Sequence, residues 1–167
     1  RPYPKSLIVA DSLASARPDS AIALLNTLKE SMKAESEATR MYYRLLCIKA
    51  NDKAYIRHTS DSLILPVLHY YTEKKDEHHL PEAYYYAGRV YRDLEDAPLA
   101  LDYFQKAIDA LPDNKGYRLK SKIYSQMGTL FLYQKTYDEA LKILKEARKC
   151  NIALKDSASM VFNLRDI

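Results

Sequence analysis

Four histidines are the side chains of this sequence that first suggest metal chemistry. His78 and His79 are adjacent and follow an acidic pair, while His58 and His69 stand apart from them. Adjacent histidines point in different directions, whereas a helical metal pair needs ligands four residues apart on one face. We therefore predict no metal site, and we expect the histidine pair to lie in a solvated polar connector.

Motifs that carry catalysis are absent from the sequence. It contains no glycine-rich phosphate loop, no Gly-x-Ser-x-Gly elbow and no His-Glu-x-x-His sequence. The cysteines Cys47 and Cys150 are far apart in the chain, so we expect two free thiols and no disulfide. These observations predict a protein that is not an enzyme, needs no cofactor and acts by binding.

Composition and charge favour an all-α protein and set limits on its partners. The chain has 47% apolar residues but three glycines, without the alternating runs of strands. No stretch approaches the roughly 18 apolar residues of a membrane-spanning helix. The net charge of +4 is modest, and although the segment 115–149 is more basic, we interpret its cations as a solvated outer face, which disfavours nucleic acid.

A series of large and small residues between 81 and 114 follows the spacing of a helix–turn–helix unit. In chain order the residues are Tyr84, Ala87, Gly88, Tyr91, Ala100, Phe104, Ala107 and Pro112. Gly88 and Ala100 are small where two helices are expected to cross closely, and Pro112 cannot continue a helix. The pattern resembles the tetratricopeptide repeat, and this resemblance implies paired helices in a binding scaffold.

The pattern returns at 121–154, where Gly128 takes the place of Gly88. The distance between these glycines exceeds one unit, so we expect a longer first helix that includes part of the segment 113–120. The last residues, 157–167, are predicted to start a further repeat.

The remaining part of the chain fits more degenerate helix pairs at about 4–32 and 35–75. Pro66 lies within the second helix predicted for 61–71, which must therefore start later or kink there. The whole chain, 1–167, is thus predicted to be a single all-α domain, a right-handed superhelical solenoid of tetratricopeptide-like helix pairs.

The first pairs carry a more particular resemblance, in the segments 7–13, 17–25, 42–46 and 61–64. They resemble the N-terminal sensor-like region of tetratricopeptide proteins common in Bacteroidetes, which typically follows a signal or lipoprotein leader. The resemblance implies a periplasmic or envelope-anchored interaction region of a larger regulatory protein, with the leader upstream of Arg1. A cytoplasmic location is the alternative.

The repeat resemblance also implies a groove that binds a protein or peptide partner, lined by the first helix of each pair. The side chains at its groove positions are Glu82, Tyr85, Arg89, Arg92, Lys122, Ser125, Thr129 and Tyr133. Aromatic and arginine side chains are enriched at interaction hot spots, so reversing the charges of Arg89 and Arg92 is expected to weaken binding with little effect on stability. In the other interpretation, Tyr85 packs between helices and the arginines are merely solvated.

Three further points concern the choice of partner. Relatives that bind chaperones grip a terminal carboxylate with lysines and asparagines at these positions, a set that this chain lacks. The alternative function is binding of an anionic ligand or nucleic acid through the basic face of 115–149, which salt would weaken steeply. Self-association through an uncapped end at Val161, Phe162 and Leu164 is a further expectation.

Overall fold

The computed structural model describes the chain from residue 2 to residue 165, with side chains as far as residue 155. Within that part the chain forms helices and no strand. The elements are α1 (Lys5–Ala16), α2 (Pro18–Leu28), a short 3₁₀ helix (Ser31–Ala34), α3 (Glu37–Lys53), α4 (Ile64–Glu73), α5 (Leu80–Asp93), α6 (Ala97–Asp109), α7 (Tyr117–Tyr133) and α8 (Tyr137–Arg165). Successive helices pack in pairs, and the expected all-α solenoid is confirmed.

Local sequence sets where the helices begin. The Asp96 side chain accepts a hydrogen bond of 3.2 Å from the Leu99 N–H and so caps α6. Ser36 caps α3 in the same way. In α4 the helix begins at Ile64 rather than at 61, so Pro66 lies in the first turn, where its missing N–H costs no helical hydrogen bond.

Four of the helix ends share one turn geometry. The residues Tyr55, Lys75, Glu95 and Lys135 have φ between 51° and 63°, the left-handed region, and are spaced by multiples of 20 residues. The N–H of each following residue donates to the carbonyl five residues earlier, as Asp96 does to Tyr91 at 2.9 Å. This bond ends each helix and turns the chain back, so the regular turns keep the pairs in one stack.

A glycine allows each of the last two pairs to pack closely. A Cβ atom on Gly88 would lie 2.4 Å from Cε1 of Phe104, and one on Gly128 would lie 2.5 Å from Cδ2 of Leu144. The sequence predicted this close approach opposite Ala100, whereas the partner is the Phe104 ring one turn further along α6. The two pairs therefore repeat the same contact between α5 and α6 and between α7 and α8.

The buried side chains form two clusters that meet at α3. The first core contains residues of α1, α2 and α3, including Leu7, Leu25 and Leu46. The second core extends from α3 to α7 and includes Phe104 at its centre. Because Leu45 and Leu46 of α3 belong to different cores, this helix joins the first pair to the rest of the solenoid.

The last two helices agree with the predicted pairs in one respect and differ from them in another. α7 begins at Tyr117, so part of the longer spacing between the glycines lies in a longer first helix, as expected. The backbone of α8 is continuous from Tyr137 to Arg165, whereas the sequence predicted a new helix starting near 157. The side chains of Val161, Phe162 and Leu164, named for self-association, lie outside the described residues.

Candidate binding groove

The helices α1, α3, α5 and α7 share one face, which we call the groove face, and a network of ion pairs crosses it. The Lys49 ammonium of α3 lies 2.9 Å from Asp11 of α1 and 3.0 Å from Glu82 of α5. The Tyr42 hydroxyl donates a 2.6 Å hydrogen bond to the other oxygen of Asp11. Burial lowers the pKa of Lys49, but the charges of Glu82 and Asp11 outweigh this and raise the pKa above its usual value. The lysine network thus fixes three helices side by side.

A second network, the arginine network, joins α3, α5 and α7. Nε of Arg89 lies 3.0 Å from Asp52, and Nη1 of Arg89 donates to the Gln126 side-chain oxygen at 2.8 Å. Arg92 also donates to Gln126. The two bonds of Arg89 each span 37 residues, so the same register recurs between neighbouring first helices.

Asp52 is the most enclosed charge of the arginine network. Its side chain is 7% exposed, and that of Arg89 is 13% exposed. Burial raises the pKa of Asp52, but the hydrogen bond from His58 and the charge of Arg89 hold it below its usual value. Reversal of Arg89 to glutamate would place a second carboxylate against Asp52, so we expect a loss of stability of about 3 to 5 kcal/mol. The sequence predicts little effect on stability instead, because the contact between Arg89 and Asp52 is not visible in it.

Asp52, His58 and Asp93 offer atoms within 4.8 Å of one another, a geometry that could hold a cation. The contacts within the protein argue against that use. His58 Nε2 lies 3.0 Å from Asp52, the backbone N–H of His58 donates to Asp93 at 3.0 Å, and Arg89 Nε lies 3.0 and 3.3 Å from the two Asp52 oxygens. A cation there would also face the Arg89 guanidinium, so the group serves to fix the connector after α3.

His79 occupies an aromatic cluster rather than the solvated connector that the sequence predicted. Its ring stacks on Tyr71 with centroids 4.9 Å apart, and Tyr3 and Tyr42 contact its other sides at 5.9 and 5.5 Å. Nδ1 of His79 lies 2.9 Å from Asp76. The neighbouring His78 is exposed as expected. The cluster holds the α4–α5 connector against α1 and α3, which a sequence pattern could not reveal.

The residues predicted to line the groove have different surroundings. Tyr85 is 5% exposed and packs on Tyr86 and Phe104, as the second interpretation expected. The arginines are not merely solvated, since both bond Gln126. Tyr133 is 76% exposed, and Ser125 is exposed as well.

Two cavities bring the predicted groove residues together in smaller sets. One of about 330 Å³ is lined by Ser15, Lys49, Glu82, Tyr85, Tyr86, Gly116, Arg118, Leu119 and Lys122. Another of about 500 Å³ is lined by Arg57, Arg92, Asp93, Glu95, Ala97, Leu130 and Tyr133. Ser125 and Thr129 line neither cavity, and the Thr129 hydroxyl donates to the Ser125 carbonyl at 2.9 Å.

Sequence reasoning missed the α3 side of the groove face, namely Lys49 and Asp52. The pattern of the second pair is degenerate, and no groove position could be assigned to it by register. The 37-residue spacing from Asp52 to Arg89 was the signal that could have identified the contact.

The fold and the groove face define a class of protein, an α-solenoid of stacked helix pairs. Residues 81–114 match the family model of the tetratricopeptide repeat, and α5 and α6 lie in that range. The matched residues are those of the repeat recognised in the sequence. No curated protein and no solved structure matches the chain. The chain therefore contains a tetratricopeptide repeat, which supports a scaffold for protein–protein interaction.

Within the part of the chain that the structure describes, no helix combines the length and the apolar character needed to cross a bilayer.

Proposed function

We propose that the groove face binds a segment of a protein partner and that the chain acts by binding, without catalysis. The observation that carries the proposal is the pair of cavities along the first helices, which offer charged, aromatic and apolar side chains together. The lysine and arginine networks hold these helices in fixed register, so the surface is organised before a partner arrives. A preformed surface lowers the ordering cost of binding.

The role that we propose for this scaffold is the interaction region of a larger regulatory protein at the bacterial envelope. The resemblance of the segments 7–13, 17–25, 42–46 and 61–64 to Bacteroidetes tetratricopeptide regulators supports this role. Fractionation of the full-length protein in its native cell distinguishes the periplasmic or envelope-anchored location from the cytoplasmic alternative.

A photocrosslinking amino acid tests the groove directly. It is placed at Ser125 or Tyr133, two exposed groove positions, in the full-length protein in its native cell. Matched controls carry it at Gln105 of α6 and Lys145 of α8, which are exposed positions on second helices. We expect one protein to be crosslinked from both groove positions and from neither control.

The control positions also test the alternative function. Equal crosslinking of one protein from all positions would overturn the groove as the binding surface. Nucleic acid crosslinked at Lys145 and released by moderate salt would instead favour the anionic-ligand alternative through the basic segment 115–149.

A further inference from the structure

The smaller cavity of the groove face carries more positive charge than the protein itself neutralises. Its cationic lining residues are Lys49, Arg118 and Lys122, and its acidic lining residue is Glu82. Glu82 is already bound by Lys49 at 3.0 Å. Among the described residues, Arg118 and Lys122 have no carboxylate within the 4.0 Å of an ion pair.

Lysines from two different helices also meet at this cavity. Lys49 of α3 and Lys122 of α7 both line it. Burial is the largest cause that lowers the pKa of Lys122 to about 8, and the positive charges of Lys53 and Lys49 act in the same direction. An anion bound beside Lys122 would relieve the repulsion between these like charges.

We propose that this cavity binds an acidic segment of the protein partner, with clustered aspartate or glutamate side chains against Lys122 and Arg118. The inference rests on the proposed groove and deepens it by naming the chemistry of the partner. Carboxylates accept hydrogen bonds from ammonium and guanidinium groups, which makes them complementary to this set.

The apolar part of the cavity favours a peptide over a small free anion. Tyr85, Tyr86 and Leu119 line the cavity beside the cations. A free phosphate would use the cations alone, whereas an extended peptide also contacts these side chains. The cavity with Arg92 and Tyr133 lies further along α5 and α7, so a longer segment can reach both.

Fluorescence anisotropy with two labelled peptides tests the proposal on the 167-residue chain. One peptide carries four consecutive glutamates in a glycine–serine frame with an amidated end, and the other carries glutamines instead. We expect the glutamate peptide to bind at least about tenfold more tightly, as the loss of one charge-assisted hydrogen bond implies. Equal affinity of the two peptides would contradict the proposal.

Matched variants locate the site. Lys122→Met nearly keeps the side-chain length and removes the charge, and Arg118→Gln removes the charge at an exposed position with a shorter polar side chain. Each is expected to weaken the glutamate peptide about tenfold. Lys145→Met, on the exposed side of α8, is expected to leave the affinity unchanged. The same loss in all three variants would show a diffuse charge effect and overturn the site.

Two further measurements test which anion binds and whether the charge of Lys122 is needed. Inorganic phosphate at millimolar concentration is expected not to displace the glutamate peptide, and full displacement would overturn the peptide assignment. Raising the pH through 8 is expected to weaken binding because Lys122, which faces Lys53, Lys49, Glu82 and Arg118, loses its proton. A different outcome is a partner that is crosslinked at Ser125 and Tyr133 while the glutamate peptide does not bind the chain. That result would refute only the acidic chemistry of the partner and would leave the proposed binding groove standing.

Discussion

The tyrosine hydroxyls have unequal surroundings. The Tyr42 hydroxyl bonds Asp11 at 2.6 Å, and the Tyr91 hydroxyl bonds Asp61 at 2.9 Å. The Tyr71 hydroxyl is fully buried and has no hydrogen-bond partner among the described residues. Burial raises the pKa of Tyr71 far above its usual value, so the group stays a neutral, unsatisfied hydroxyl. A buried polar group in this state opposes folding.

Removing that hydroxyl is therefore expected to stabilise the protein. Tyr71→Phe should raise the free energy of unfolding by about 1 kcal/mol, whereas Tyr42→Phe should lower it by about 1 to 2 kcal/mol. Both variants lose one oxygen atom, so urea unfolding at pH 7 compares them on equal terms. Destabilisation by Tyr71→Phe would show that an ordered water molecule forms a hydrogen bond with the Tyr71 hydroxyl.

The low pKa of Asp52 predicts a specific dependence of stability on pH. The carboxylate is stabilised in the folded state, so its contribution is fully present above the unfolded pKa of about 3.9 and is lost as the pH falls through the folded pKa. Asp52→Asn should be less stable than the natural protein at pH 7, and the difference should narrow below pH 4. Asp113→Asn, at an exposed loop position, is the control. A constant difference for Asp52→Asn would contradict the ion pair.

The sequence assigned residues to groove positions but could not show what they contact. Glu82 and Lys122 line one cavity, and Tyr85 borders the same cavity but is 5% exposed and packs in the core. Repeat register gives the direction of a side chain along a helix. It does not give the distance between neighbouring helices, and that distance decides whether a tyrosine at the edge of the groove face is buried.

At the scale of the elements, two glycines in equivalent places differ in what covers them. Gly88 faces the Phe104 ring, which is fully buried in the second core. Gly128 faces Leu144, whose side chain reaches solvent with 37% exposure. A flexible, partly exposed leucine can move aside, while an enclosed ring cannot.

Alanine at these glycines should therefore have opposite consequences. Gly88→Ala should destabilise the protein by about 1 to 3 kcal/mol because the added methyl overpacks Phe104. Gly128→Ala should be neutral or stabilising by up to about 1 kcal/mol, since alanine favours the helix and Leu144 can shift. Thermal unfolding of the two variants measures the difference. Similar losses in both would indicate that Leu144 is as tightly held as Phe104.

The helices were predictable where the spacing of apolar residues agreed with the residues that start or stop helices. Pro18 and Pro98 mark the starts of α2 and α6, and the match at 81–114 coincides with the repeat recognised in the sequence. The end of α8 was not predictable in this way, because no proline or glycine follows Tyr137 and nothing in the sequence distinguishes one long helix from two.

At the scale of the whole molecule, the arrangement of the two cores determines how stability is distributed. Pairs in a solenoid contact their neighbours in the stack, so each core depends on nearby helices. The first core includes Leu25 and ends at α3, and the second core continues from α3 to α7. The pair α5–α6 has neighbours on both sides, whereas the main packing partner of α1–α2 within the described residues is α3.

The destabilising effects of substitutions in the two cores should consequently extend over different numbers of helices. Leu25→Ala, which removes about 2 to 5 kcal/mol locally, should speed amide hydrogen exchange mainly in α1 and α2. Phe104→Ala should speed exchange in α5 and α6 and also in α4 and α7, because both neighbours lose a packing surface. Hydrogen exchange at pH 7, resolved by peptide, measures this, with the exposed Lys145→Ala as control. If Leu25→Ala accelerates α5 and α6 as much as α1 and α2, α3 couples the cores into one cooperative unit.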